Sequence, residues 1–381
     1  MNLIRQGFDS RYFAIKTNLP PDTIRELEVV RAIAEETKQP TPFLLNGVDL
    51  DVQPFGANGY QYILKGGEFQ AKYLFKRPNQ RDPWGAFIEI GSLLLTCEGL
   101  ARSLNLVDET LAALGVAYRD EQVSLNRVDY CIDIEACSFV LDPDCFVAHS
   151  RSNIREHLDY QESASANGRS SVRTSCTIGK MPGRQVTAYN KTKEVAAKFK
   201  PEWYNIWNAH IRARYGTAAQ YLDLSSQVWR IEIRAGKKHL KDSWNMRTFP
   251  QFYKSYGDVV RSALEAVRYT IPNPEDPNRA RWPNAPIWEL AIDACRSDLV
   301  EMTTFVPPDL IKEVLRAEQR RMILAQLSGL SVNMAALDGI YPSEVASYCS
   351  TLASELEQNF RNDPEGIQEK LNRVHSRYRF T

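Results

Sequence analysis

Three short segments carry residues able to do phosphoryl-transfer chemistry. Residues 127–133 read Arg-Val-Asp-Tyr-Cys-Ile-Asp, 186–191 read Val-Thr-Ala-Tyr-Asn-Lys, and 229–234 read Trp-Arg-Ile-Glu-Ile-Arg. Strand side chains alternate between faces, so each segment sorts into an apolar side and a polar one. Asp129 and Asp133 share a face, Tyr189 and Lys191 share a face, and so do Arg230, Glu232 and Arg234. If one sheet holds all three, its polar face combines carboxylates, a phenol and cations. Those are the parts of a metal-assisted phosphodiester cleavage site.

Each part also has a plainer use. A strand tyrosine most often packs against its neighbours, with its hydroxyl at the surface. As a nucleophile, the Tyr189 phenol could attack a phosphodiester and hold the product as a phosphotyrosine ester. Its ordinary pKa of about 10 then demands a nearby cation or metal. Lys191 is either that cation or a solvated strand lysine. Asp129 and Asp133 either pair with cross-strand cations or bind Mg²⁺ or Mn²⁺, which prefer hard oxygen ligands. Glu232 is either a third ligand or one rung of an ion-pair ladder with Arg230 and Arg234.

The elements that must position these groups are legible as punctuation and periodicity. A strand is expected over 8–18, followed by a helix over 21–37 that opens on Pro20-Pro21. Strands at 59–64 and 69–75 flank Gly66-Gly67, a hairpin signal. A short strand at 87–90 precedes a helix over 93–114 that stops at Gly115. An amphipathic stretch, 191–215, separates the second and third chemical segments. Residues 271–286 hold five prolines and read as a linker, and 287–381 read as helices. Strands joined by hairpins and single helices make this an α+β pattern rather than a repeating βαβ one. The expected division is an N-terminal α+β part (1–120) continuous with the sheet of a second part (121–270). The linker (271–286) and a helical C-terminal domain (287–381) follow.

Charge is neutral overall but uneven. With 47 basic and 47 acidic residues the net charge is zero. Between Gly168 and Lys241 there are 15 Lys and Arg against 4 acids, a balance of +11, so the remainder carries −11. A basic middle on a neutral chain is the footprint of a polyanion site. The 7 cysteines are odd in number, scattered and without a CxxC pair, which fits a reducing cytoplasm better than a disulfide framework. No apolar run approaches the roughly 18 residues of a membrane span.

Absent motifs narrow the chemistry. The five histidines, His149, His157, His210, His239 and His375, include no His-x-His pair, so any metal must be held mainly by carboxylates. His239 follows the third segment and could approach the site, though a lone loop histidine is more often at the surface. There is no GxxxxGK[ST] loop, which argues against ATP hydrolysis. The Gly179–Arg184 turn is either a plain hairpin or a DNA-backbone contact through Lys180 and Arg184. Trp203, Tyr204 and Trp207 suit core packing on a helix better than base stacking.

Segments 127–133, 178–194 and 229–234, in that order and spacing, resemble the replication initiation factor family. These are rolling-circle initiators of the transfer type, found on small plasmids and filamentous phages. The likeness spans roughly residues 120–245, about a third of the chain. It implies an antiparallel-sheet nicking domain with flanking helices that cuts one DNA strand at a replication origin. The nucleophile carries over to Tyr189, with the enzyme left on the 5′-phosphate and a free 3′-hydroxyl released. A divalent metal is implied, which we place on Asp129, Asp133 and Glu232. Lys191 is expected to assist, and Lys180, Arg184, Arg230, Arg234, Lys237 and Lys238 to contact single-stranded or melted DNA. A homodimer and a host helicase are the further partners the resemblance implies. Two other classes stay open: a DNA-binding replication regulator without catalysis, and a metal-dependent nuclease that uses water.

Overall fold

The computed structural model describes residues 1–67, 69–148, 154–158, 173–296 and 308–375. His149, Glu68 in the expected hairpin, and 297–307 and 376–381 of the expected helical part lie outside them. The chain opens with β1 (Asn2–Ile15), α1 (Pro21–Thr37), β2 (Thr41–Leu45), β3 (Val48–Val52), β4 (Tyr62–Lys65), β5 (Lys72–Phe75) and β6 (Ala86–Ile90). It continues with α2 (Ser92–Ala113), β7 (Val123–Glu135), β8 (Phe146–Ala148), β9 (Ile154–Leu158), β10 (Arg173–Gly179) and β11 (Arg184–Asn190). Then come α3 (Lys191–Ala197), α4 (Glu202–Tyr215), β12 (Val228–Gly236), α5 (Lys237–Trp244) and α6 (Phe249–Ala266). The last elements are β13 (Val267–Tyr269), α7 (Pro286–Ala294), α8 (Pro308–Leu337), α9 (Val345–Asn362) and α10 (Pro364–His375).

Among the described residues eleven strands form one antiparallel sheet, in the order β2-β3-β4-β5-β6-β1-β7-β12-β11-β10-β9. The fold is α+β. The first strand of the chain therefore lies in the middle of the sheet, between β6 and β7. The Leu3/Arg5, Phe8/Ser10 and Tyr12/Phe13 steps of its pairing with β7 are irregular. Such irregularities re-aim side chains.

Alternation sends Val128, Tyr130, Ile132 and Ile134 of β7 to one face, all of them fully buried. That face packs on α6. The helix starts at a Thr248/Gln251 capping box, and its stripe of Phe252, Tyr256, Val259, Val260 and Ala263 meets the sheet. The Tyr256 hydroxyl donates to the Val128 carbonyl at 2.9 Å. Residues 271–286 are pinned rather than free, because Ile271 N–H donates to the Pro283 carbonyl and Ala285 N–H to the Tyr269 carbonyl. Beyond them, Trp288 is buried in the main core and its indole donates to the Leu264 carbonyl.

The opposite face of β7, β12 and β11 is the polar one. It is roofed by α3 and α4, with a smaller core of Trp203, Ile206, Trp207 and Ile211. The Gly179–Arg184 turn is held against the start of α5, where Gly236 N–H donates to the Gly183 carbonyl. A Cβ on Gly236 would stand 2.4 Å from the Pro182 carbonyl oxygen, so only glycine permits this approach. No described helix is long and apolar enough to cross a membrane. None of the seven cysteines, all of them described, forms a disulfide.

Candidate active site

Strand register brings the three chemical segments together. Across β7 and β12, Asp129 is opposite Arg234, Cys131 opposite Glu232 and Asp133 opposite Arg230. Across β12 and β11, Glu232 is opposite Thr187 and Arg230 opposite Tyr189. A cleft of about 320 Å³ opens over this surface, lined among others by Ser10, Asp129, Tyr189, Lys191, Glu232 and Arg234.

Tyr189 is half-buried, and its hydroxyl donates to Glu232 Oε2 at 3.1 Å. Burial pushes its pKa well up, against the pull of the Arg230 charge and with the push of Glu232. The phenol is therefore protonated at rest, with a carboxylate already placed to take its proton. The other oxygen of Glu232 accepts from Arg234 Nε at 2.7 Å.

Lys191 does not extend the strand. β11 ends at Asn190, whose side chain caps α3 by accepting the Lys193 N–H at 2.9 Å, so Lys191 is the first helical residue. It still reaches the cleft, with Nζ 2.7 Å from Glu194 and 4.7 Å from the Trp203 ring centroid. Burial, then the Arg230 charge, lower its pKa. Burial alone would raise Glu194, but Lys191 and Lys198 hold it at about 2.

Beneath the cleft lies a buried ion network. Arg230 and Asp133 are both wholly buried. Arg230 donates to the two Asp133 oxygens at 2.6 and 2.8 Å, and its third nitrogen donates to Asp9 at 2.6 Å. The Trp207 indole donates to Asp133 at 2.9 Å. Burial would raise Asp133, yet Arg230 keeps it below the ordinary carboxylate range. Asp9 is held well down in the same way and also accepts from Ser92 at 2.7 Å. Neither Asp133 nor Arg230 lines the cleft. The expectation of Asp133 as a metal ligand and Arg230 as a DNA contact gives way to a structural pair that supports the floor. Asp9 lines the cleft and was not foreseen.

Asp129 and Glu232 remain as cleft carboxylates on adjacent strands. Burial first, and the Glu232 charge behind it, push Asp129 up to about 6 against the pull of Arg127. Asp129 also accepts from Ser10 at 2.6 Å. Among the described residues no group of three or more His, Cys, Asp or Glu is arranged for a metal. Both cleft carboxylates are already ion-paired, Asp129 with Arg127 and Glu232 with Arg234, so a divalent cation completed by substrate oxygens would have to share those carboxylates with the arginines. Of the carboxylates expected as metal ligands, Asp129 and Glu232 are the two that line the cleft and could hold Mg²⁺ or Mn²⁺.

A stability measurement tests this pair without any catalytic readout. A carboxyl whose folded pKa lies above its unfolded value of about 3.9 stabilises the native state in acid and loses that contribution as pH rises through about 6. At pH 7 millimolar Mg²⁺ is expected to raise the melting temperature of the wild type, by mass action on the folded state. Asp129→Asn is expected to melt higher than the wild type without metal, and to show no Mg²⁺ response.

The expected DNA contacts divide. Arg234 lines the cleft. Lys180 and Lys238 are exposed around the Gly179–Arg184 turn, and Lys237 Nζ stands 5.4 Å from the Trp84 ring centroid. Arg184 points to the other face, donating to the Ser262 carbonyl of α6 at 3.5 Å. His239 accepts from the Trp244 indole and is not part of the cleft lining. Trp203 and Trp207 are core residues, as their spacing implied.

No family model matches this chain, and no curated protein matches it. Among solved structures, the rolling circle replication initiator protein from Geobacillus stearothermophilus is similar to it at 12% identity and a TM-score of 0.39. The likeness covers 77% of this chain and 96% of that one.

Proposed function

We propose that the chain initiates DNA replication by cutting one strand through tyrosine transesterification. The observation that carries this is the Tyr189 hydroxyl hydrogen-bonded to Glu232 in a cleft edged by Lys191 and Arg234. Glu232 takes the phenolic proton as Tyr189 Oη bonds to phosphorus. The bond from phosphorus to the 3′ oxygen breaks, leaving a 5′-phosphotyrosine ester. Lys191, whose burial loosens its proton, gives that proton to the departing 3′ oxygen. Arg234 neutralises charge that builds on the phosphate. A divalent cation on Asp129 and Glu232, when bound, supplies further positive charge there. Rejoining is the reverse exchange and needs no ATP.

The test uses labelled single-stranded oligonucleotides drawn from the replicon that encodes the chain, incubated with Mn²⁺ and run on a denaturing gel. A labelled band that migrates with the protein supports transesterification. Cleavage without that band points to a water-using nuclease, and retention on a native gel without cleavage points to a regulator.

The same reading includes self-association, and α8 carries a surface for it. Ile323, Leu327, Leu330, Met334 and Leu337 are all more than a third exposed, at the 4-3-4-3 spacing of a coiled-coil seam. Leu324, 48% exposed, lies beside them and widens the apolar strip. A second copy of the chain is the occupant we propose. Sedimentation is expected to show a dimer that Leu327→Lys with Leu330→Lys converts to monomer without lowering the melting temperature. An unchanged sedimentation coefficient would exclude this seam.

A further inference from the structure

A chain of aromatic rings and cations leads out of the cleft across β1 and β6. It starts at Tyr12, which lines the cleft and has the Arg127 guanidinium 5.4 Å from its ring centroid. The Tyr12 and Phe87 centroids are 6.2 Å apart, and those of Phe87 and Tyr60 are 5.9 Å apart. Lys76 Nζ lies 4.6 Å from the Tyr60 centroid. Lys76 pairs with Asp82, whose carboxylate accepts the Trp84 N–H. Trp84 in turn stands between Lys16 and Lys237, with Nζ atoms 5.2 and 5.4 Å from its ring.

Burial separates this row from an ordinary aromatic cluster. On the other face of the sheet, Phe8, Tyr130, Phe252 and Tyr256 also pack ring against ring, and none is more than 6% exposed. Tyr12, Tyr60, Trp84 and Phe87 are only half-buried, so each ring keeps surface in solvent beside a cation or another ring. Cross-strand packing would explain rings that are covered. It does not explain a continuous half-open row interleaved with Lys16, Lys76 and Lys237. The acids along the row are matched: Asp82 by Lys76, and Glu89 by Lys72 at 3.0 Å.

Half-open rings set among cations are how proteins hold unpaired nucleic acid without reading its sequence. Bases stack on the rings while the cations face the phosphates. A duplex keeps its bases stacked inside and cannot use such a row. We propose that this row is the path of single-stranded DNA next to the scissile phosphate, with bases stacked on Tyr60, Phe87 and Trp84. Its orientation rests on the Tyr189 cleft being where the strand is cut, but its existence does not.

The experiment measures fluorescence anisotropy of a labelled 20-mer of thymidylate, and of a duplex of equal length, against the full chain at about 0.1 M salt. Trp84→Ala, Phe87→Ala and Tyr60→Ala are each expected to weaken single-strand binding at least about fivefold, the lower end of stacking energies per base. Duplex binding should change less than twofold. Phe87→Leu, which keeps an apolar side chain and removes the ring face, covers the case in which Phe87→Ala lowers the melting temperature. Trp84→Phe should retain most of the binding. A wild type that ignores the oligonucleotide, variants that bind it like the wild type, or equal losses for single strand and duplex would each overturn the row. Loss of stacking in these variants without any Tyr189 adduct would leave the row standing and remove the nicking mechanism instead.

Discussion

Replacing Tyr189 by Phe is expected to abolish the covalent protein–DNA band, a fall of on the order of 10³-fold or more, as for other removed nucleophiles. The physical reason is narrow. The substitution deletes one oxygen, and that oxygen's described hydrogen bond is to Glu232 at 3.1 Å. The ring is half-buried, so the lost hydrogen bond costs about 1 kcal/mol and the melting temperature should hardly move. Glu232→Gln separates the roles further. It keeps a hydrogen-bond partner for the phenol but cannot take its proton, so adduct formation should fall by ~10²-fold or more while DNA binding persists. A Tyr189→Phe protein that still forms the band would remove Tyr189 from the chemistry altogether.

Arg230→Met is expected to be the most damaging single change to stability. It leaves Asp133 fully buried with its main cation gone, and strips Asp9 of the same partner. Breaking one side of a buried ion pair costs about 3–5 kcal/mol, a large share of the stability of an ordinary domain. Urea unfolding at pH 7 measures this. The dependence on pH gives the sign. Arg230 depresses the Asp133 pKa, so the pair's contribution is complete above the unfolded value of about 3.9 and is lost as pH falls through the lower folded value. The gap between wild type and Arg230→Met should therefore narrow below about pH 4. Asp133→Asn together with Arg230→Met should recover part of the loss, because no uncompensated charge then remains at that position. A gap that is constant from pH 7 to pH 3 would show that the pair is not what the arginine supports.

Period-two alternation gave each segment its polar face, and the register of β7, β12 and β11 joins those faces to bring Asp129, Tyr189, Glu232 and Arg234 together. Applied more strictly, alternation would also have removed Arg184, which lies five positions from Tyr189 and so on the opposite side. Lys191 was misplaced because Asn190 was read as a strand residue. An Asn with Glu194 four residues on is equally a helix start, and the cap decides it. Asp133 and Arg230 were assigned the right face and the wrong depth. Alternation says which way a side chain points, not that Trp207, on the helix between the second and third segments, will come down to cover it. Asp9 was illegible for a different reason. The irregular step between Phe8 and Ser10 breaks the parity rule where it would have been applied. The helices at 21–37 and 92–113 followed directly from proline, glycine and apolar spacing.

The place of β1 has a consequence for synthesis. Leu3 pairs with Ile134 and Ile15 with Val123, so β1, once synthesised, must wait for more than a hundred further residues before one of its two neighbours exists. Until then an apolar ribbon stands with an unsatisfied edge in the growing chain. Chains built on such distant pairings mature slowly and stick to one another while they wait. Yield should therefore depend on translation speed and growth temperature more than the stability of the finished molecule would suggest.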